Sequence, residues 1–329
     1  MTDINQAAVL AGGITPGDTP GFPARISVPG YYRLTSNLEV PGGTAHAIEI
    51  VTSHVTIDMN GYLISRKTPD LTAAIFGAAE RVNFVKVYNG HFRGTGGIDL
   101  GGTGNCVRDV QLEGAEEGSA TGLRLGDLGL ITGNQVTKTD TAFIVGNNGV
   151  VTDNLTVHSG HGVRAGQNAI VTGNTIDGNA AQASIIAGDG SIVGTNIAGR
   201  NDAGIQAGNQ CLLKDNTVHS NTDFGIGAGN GSVVVGNRVT KVKNGPGISS
   251  GAGSMVGGNA ITACGEGVRT TEGTLIDGNA ASGCTTFGLI MQPTSGYAVN
   301  VLNANNGGGV QVSGGFQVDK NECNGAFCP

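Results

Sequence analysis

The segment His158-Ser159-Gly160-His161-Gly162-Val163-Arg164 gathers two imidazoles and a guanidinium, with Asp140 and Arg124 upstream. An imidazole titrates near neutrality and takes up a proton readily. A guanidinium binds a carboxylate in bidentate fashion and neutralises charge that develops on it. Together they suit removal of a proton from a carbon next to a carboxylate. His161 is then the base, Arg164 the charge stabiliser, Asp140 their acidic partner, and Arg124 and His158 hold the substrate. Asp202 and Asp223 precede two later apolar segments and extend the binding set as an acidic ladder. With backbone carbonyls such a ladder also suits Ca²⁺; no other cofactor and no His or Cys metal site is expected. The competing reading is that these charges only solvate a surface.

Such residues act together only if the chain brings them to one face. A short segment, Gly or Ala and then an aliphatic, recurs as GIDL (97–100), GLRLG (122–126), AFIVG (142–146), GVRAG (162–166), SIIAG (184–188), GIQAG (204–208) and onward to GVQV (309–312), spaced 20 to 22 residues apart from 123. A second motif keeps the same period, its asparagines at 134, 154, 174, 196, 216, 237, 259 and 279. Units of this length cannot bury an apolar face alone, so they stack, which predicts an all-β, right-handed parallel β-helix of about 13 coils. Alternation points Ile98, Leu123, Phe143, Val163, Ile185, Ile205, Ile226, Ile248, Val268, Leu289 and Val310 inward. It points Asp99, Arg124, Ile144, Arg164, Gln206, Arg269 and Gln311 outward. The asparagines belong at corners, where they tolerate left-handed geometry and link one coil to the next. Residues 1–44 are expected to cap the first coil, 45–312 to form the helix and 313–329 to cap the other end.

Glycine is abundant, 59 of 329 residues, without the strict third-residue period of collagen. A net charge of -7 with 18 Lys plus Arg and no basic cluster argues against nucleic acid as partner. No run approaches the ~20 apolar residues of a membrane span, and the start MTDINQAAVLAGG lacks the features of a secretory signal. Among six cysteines, Cys323 and Cys328 suit a staple of the C-terminal tail, whereas Cys264 and Cys284 read as small buried hydrophobes.

The coil period, the aliphatic stack, the asparagine corners and the opening VPGYYRLTSNLEVPGGTAHAIEI…VTIDMNGYLIS resemble the pectate-lyase-like superfamily of right-handed parallel β-helix proteins, over roughly residues 25–312. Many of its members are bacterial proteins that bind, cleave or epimerise polysaccharides. The resemblance implies an extracellular or cell-surface protein acting on an acidic polysaccharide or surface glycan, as monomer or homotrimer. It also implies that the first strand track and the loops before it form the working face. Ser159-Gly160-His161-Gly162 is similar to an element of polygalacturonase-type hydrolases, but the adjacent aspartate pair of those enzymes is missing and only Asp140 stands there. Hydrolysis normally needs two carboxyl groups. A lyase or epimerase acting on uronate, needing one base and stabilising cations, is therefore the first reading. The alternative is a non-catalytic structural, adhesin or phage-spike-like rod that binds surface glycans. The absence of Trp, an aromatic side chain suited to stacking on sugars, favours this alternative.

Overall fold

The computed structural model describes residues 1–43, 45–66, 72–77, 82–114, 120–178 and 183–328. The variable segments 113–121 and 177–183 therefore lie partly outside the described residues. The chain forms two compact units, Met1–Gly166 and Gln167–Pro329. Both are parallel β-solenoids, with about 13 coils between them. Among the described residues, helix is confined to Gln6–Ala11 and one 3₁₀ turn at Asn306–Gly308.

Each regular coil carries three strands. In the first unit one such coil runs through Thr121–Leu125, Leu130–Thr132 and Gln135–Thr137, and the next through Thr141–Val145, Val150–Thr152 and Leu155–Val157. Stacking is parallel and in register, Leu123 beside Phe143 and Phe143 beside Val163. The second unit repeats this, with Ile205 beside Ile226 and Ile226 beside Ile248. The aliphatic column is at most 1% exposed from Ile98 to Leu289 among its described members. Residues at alternate positions point to the same side of a strand, so the column faces the core throughout. The glycine that opens many first-track strands is required by close approach: a Cβ at Gly122 would stand 2.4 Å from the carbonyl oxygen of Ala142.

Asparagines fix the second corner. In the second unit Oδ1 of Asn196 accepts from the backbone N–H (3.0 Å) and the side-chain amide (3.0 Å) of Asn174, while Nδ2 of Asn196 donates to Asn216 (3.0 Å) and to the carbonyl of Val171 (2.8 Å). The ladder runs on through Asn237, Asn259, Asn279 and Asn300 to Asn321. These asparagines are 1–2% exposed, so their amides must find partners inside the protein, and the ladder supplies them. The left-handed residue at this corner is the one before the asparagine, for example Gly173, Thr195 (φ 53°), Asp215 and Gly236.

The ends differ from expectation. Leu289 pairs with Val312, two residues beyond the projected Val310, which is 64% exposed. Gln311, expected outside, is 3% exposed and closes the last coil: its Oε1 accepts from Asn305 Nδ2 (2.8 Å), and its Nε2 donates to the Asn305 carbonyl (2.9 Å). The turn at Asn306–Gly308 shifts the register that a strict period would give. Pairing also begins before residue 45, since Thr2–Ile4 stacks on Gly30–Leu34 and Ala24–Ile26 on Ile48–Ile50. Between these strands lies the helix Gln6–Ala11, capped by Asn5, whose side chain accepts from the Ala8 N–H at 2.9 Å. At the other end Cys323 and Cys328 form a disulfide across the antiparallel hairpin Glu322–Cys323 and Ala326–Phe327.

Candidate functional site

In the first unit the outward residues of the first track form a ladder, Arg25, Glu49, Phe76, Asp99, Arg124, Ile144 and Arg164, one on each coil. From Phe76 to Arg164 it spans four rungs, about 19 Å at about 4.8 Å per rung. An open groove of about 480 Å³ runs along it, lined by Phe76, Asp99, Arg124 and Ile144. At its upstream end the His46 ring stacks on Phe76, centroids 4.3 Å apart and planes 10° apart, and His46 Nδ1 lies 2.8 Å from the Ala73 carbonyl. The result is an aromatic platform with a carboxylate one rung and a guanidinium two rungs further along the ladder.

The two arginines are electrostatically unlike. Arg124 grips Asp99 with both nitrogens, Nε at 2.8 Å and Nη2 in closer contact. The hydrogen bond to Asp99 pushes the Arg124 pKa upward, against the opposing pull of desolvation. Arg164 is exposed and forms no ion pair among the described residues. Its charge is available to a ligand, whereas that of Arg124 is largely spoken for by Asp99.

The remaining candidates divide. His161 begins the strand His161–Ala165, pairs with Thr141, and is 5% exposed: alternation from Val163 turns its side chain inward. Its backbone N–H donates to the Asp140 carbonyl at 2.6 Å. Asp140 is exposed at that corner, and its carboxylate accepts a long hydrogen bond from Thr141 Oγ1 (3.4 Å). His158 is exposed in a left-handed conformation (φ 54°), and its carbonyl accepts from the Lys138 N–H. Ser159 is buried and accepts from Thr139 Oγ1 (3.0 Å) and Thr156 Oγ1 (3.2 Å), which makes the histidine-flanked Ser-Gly part of the corner's packing.

Asp202 and Asp223 lie in the second unit on successive coils, joined by a hydrogen bond from the Asp223 N–H to the Asp202 carbonyl (2.7 Å). Asp223 borders a hollow of about 410 Å³ with Gln206, Phe224 and Ser249. Among the described residues no group of three or more His, Cys, Asp or Glu side chains is placed to hold a metal ion. No helix among them is long and apolar enough to cross a membrane.

Phe76 and His46 carry no signal as chemistry-bearing residues, yet the alternation reveals the first of them. In AAIFG (73–77) the residue after inward Ile75 is Phe76, the same place that Arg124 takes after Leu123.

Residues 121–261 match the family described as the right handed beta helix region. Solved structures that share the fold include two aligned over most of both chains. DFA-IIIase from Arthrobacter chlorophenolicus A6, without its lid, is 14% identical, with 90% of this chain and 86% of that one covered and a TM-score of 0.51. A variant of the periplasmic alginate epimerase AlgG is likewise 14% identical, with 97% and 82% covered and a TM-score of 0.50. No curated protein sequence matches the chain. The fold is thus a right-handed parallel β-helix.

Proposed function

We propose that the protein is a polysaccharide-active β-helix protein that engages an acidic, uronate-containing polysaccharide along the first-track face of its first unit. The observation that carries this reading is Arg164, exposed and without an ion pair among the described residues, two rungs from the Asp99–Arg124 pair and on the same face as the Phe76 platform. Pyranose rings present apolar C–H faces that pack on Phe76 and Ile144, and a carboxylate substituent pairs with Arg164 in the bidentate geometry guanidinium favours. Asp99 and Arg124, locked together, offer an oriented set of acceptors and donors to hydroxyl groups.

In the catalytic form of this reading the reaction is elimination or epimerisation at the carbon beside the uronate carboxylate, with Arg164 stabilising the enolate. Asp140, exposed at the corner that leads into this face, is better placed as base than His161, whose ring is buried. The same burial, together with the Asp99–Arg124 pairing, favours a second reading, a glycan-binding module without turnover. An extracellular or cell-surface location fits the Cys323–Cys328 disulfide, since such bonds persist in oxidising compartments.

Titration with a polyuronate and with a neutral polysaccharide of similar length tests the proposal. The polyuronate is expected to bind with marked salt dependence, and Arg164→Ala to weaken it roughly tenfold or more, a loss of about 1.4 kcal/mol or above. Equal affinity for the neutral polymer, or no effect of Arg164→Ala, would refute it. Release of unsaturated uronate or a change in uronate stereochemistry, abolished by Asp140→Asn, separates the enzyme from the binding module.

A further inference from the structure

The solvent face of the second strand track in the second unit is strikingly apolar for a surface. Its outward column reads Ile170, Ile192, Leu212, Val233, Met255 and Leu275, one residue per coil in unbroken register. Ile170, Ile192, Val233, Met255 and Leu275 are each 36–42% exposed. The corresponding column of the first unit reads Tyr31, Thr56, Lys86, Cys106, Leu130 and Val150, aliphatic only in its last two places, so the coil itself accepts polar residues here. Isolated exposed aliphatics are ordinary, but a continuous column about 24 Å long, at about 4.8 Å per rung, marks a surface that meets something.

The column two residues further along the same strands indicates what it meets. It reads Thr172, Gly194, Lys214, Val235, Gly257 and Asp277, followed by Ala298. Lys214 and Asp277 form no ion pair among the described residues. A twofold axis along the strand direction, between the rungs of Val235 and Gly257, inverts the order of rungs and lays each column on its own copy. Lys214 then faces Asp277 of the other copy, Val235 faces the hollow at Gly257, and Gly194 faces Ala298. In the aliphatic column Val233 meets Met255 and Leu212 meets Leu275. Charge meets opposite charge and bulk meets space in one register, and a second copy of the same face matches the rung spacing over its whole length.

We propose that this face joins two copies of the chain in an antiparallel, isologous dimer. Such symmetry requires a self-complementary patch, which these two columns supply. The area is modest for a stable complex, so association is weak and concentration-dependent.

Sedimentation of the full chain over a wide concentration range tests this. A reversible monomer–dimer equilibrium is expected, and Val233→Lys is expected to weaken it at least tenfold. Lys214→Asp alone and Asp277→Lys alone should each weaken it, and the double swap should restore it toward the parent value. All of these side chains point outward, and circular dichroism checks that each variant keeps its fold. A chain that stays monomeric at every concentration, or that forms trimers, overturns the proposal. So does a double swap no better than its two single variants, because that result breaks the antiparallel register.

Discussion

Asn196 shows how a single side chain serves the fold. Its Oδ1 accepts two hydrogen bonds from Asn174, and its Nδ2 satisfies both Asn216 and the Val171 carbonyl. Asn196→Ala leaves buried donors and acceptors orphaned on both neighbouring coils, and a loss of about 1–3 kcal/mol is expected in chemical denaturation. Beside it, Thr195 holds φ at 53°, where a β-branched residue is strained and where Gly173 and Gly236 serve the same corner without penalty. Thr195→Gly should therefore raise the melting temperature, by an amount corresponding to about 1 kcal/mol. An unchanged or lower value would show that the hydrogen bond from Thr195 Oγ1 to the Gly194 carbonyl outweighs the strain. The asparagine period was legible in the sequence, but its partition of labour was not. The left-handed geometry falls on the residue before each asparagine, and that position varies among Gly, Asp, Thr and Val. His161 gives the complementary lesson. Its company of His158 and Arg164 suggested chemistry, yet the alternation that buries Val163 buries His161 as well.

At the scale of the element, a first-track strand is a core residue, an outward residue and a backbone packed tightly on the next coil. Phe143 is fully buried between Leu123 and Val163, so Phe143→Ala is expected to cost about 3–5 kcal/mol, read from the shift in denaturation midpoint. Cys264 and Cys284 occupy a buried column of the second unit, 2% exposed each, as the small hydrophobes they were expected to be. A hydrogen bond with Cys284, followed by burial, holds the Cys264 thiol well above the usual range. A thiol held above its ordinary pKa stays protonated and unreactive at neutral pH. Because both cysteines are buried, a maleimide should leave them unlabelled in the folded protein and label them only after denaturation; rapid native labelling would contradict this packing. Strand periodicity was readable because one rule governs every coil. Where it breaks, as at the turn Asn306–Gly308, the projected Val310 loses its place beside Leu289 to the half-buried Val312. The partnership of Asp99 with Arg124 was hidden because it joins side chains on neighbouring coils whose rotamers the pattern does not specify.

For the molecule as a whole, two solenoid units present different outer surfaces on one repeated coil. The first unit carries Phe76, Ile144 and Arg164 on its first track, the face assigned here to an acidic polysaccharide. The second carries the aliphatic column through Val233 and Met255 on its second track. Both are additions to a scaffold whose inward positions are nearly invariant, as expected where function is grafted on a fold. Hydroxyl-radical footprinting at a dilution that keeps the chain monomeric, with and without a polyuronate, tests the central assignment most directly. The polysaccharide is expected to protect Phe76 and Ile144 while oxidation of Met255 and Ile192 is unchanged. Protection of Met255 with Phe76 and Ile144 left fully reactive would contradict it.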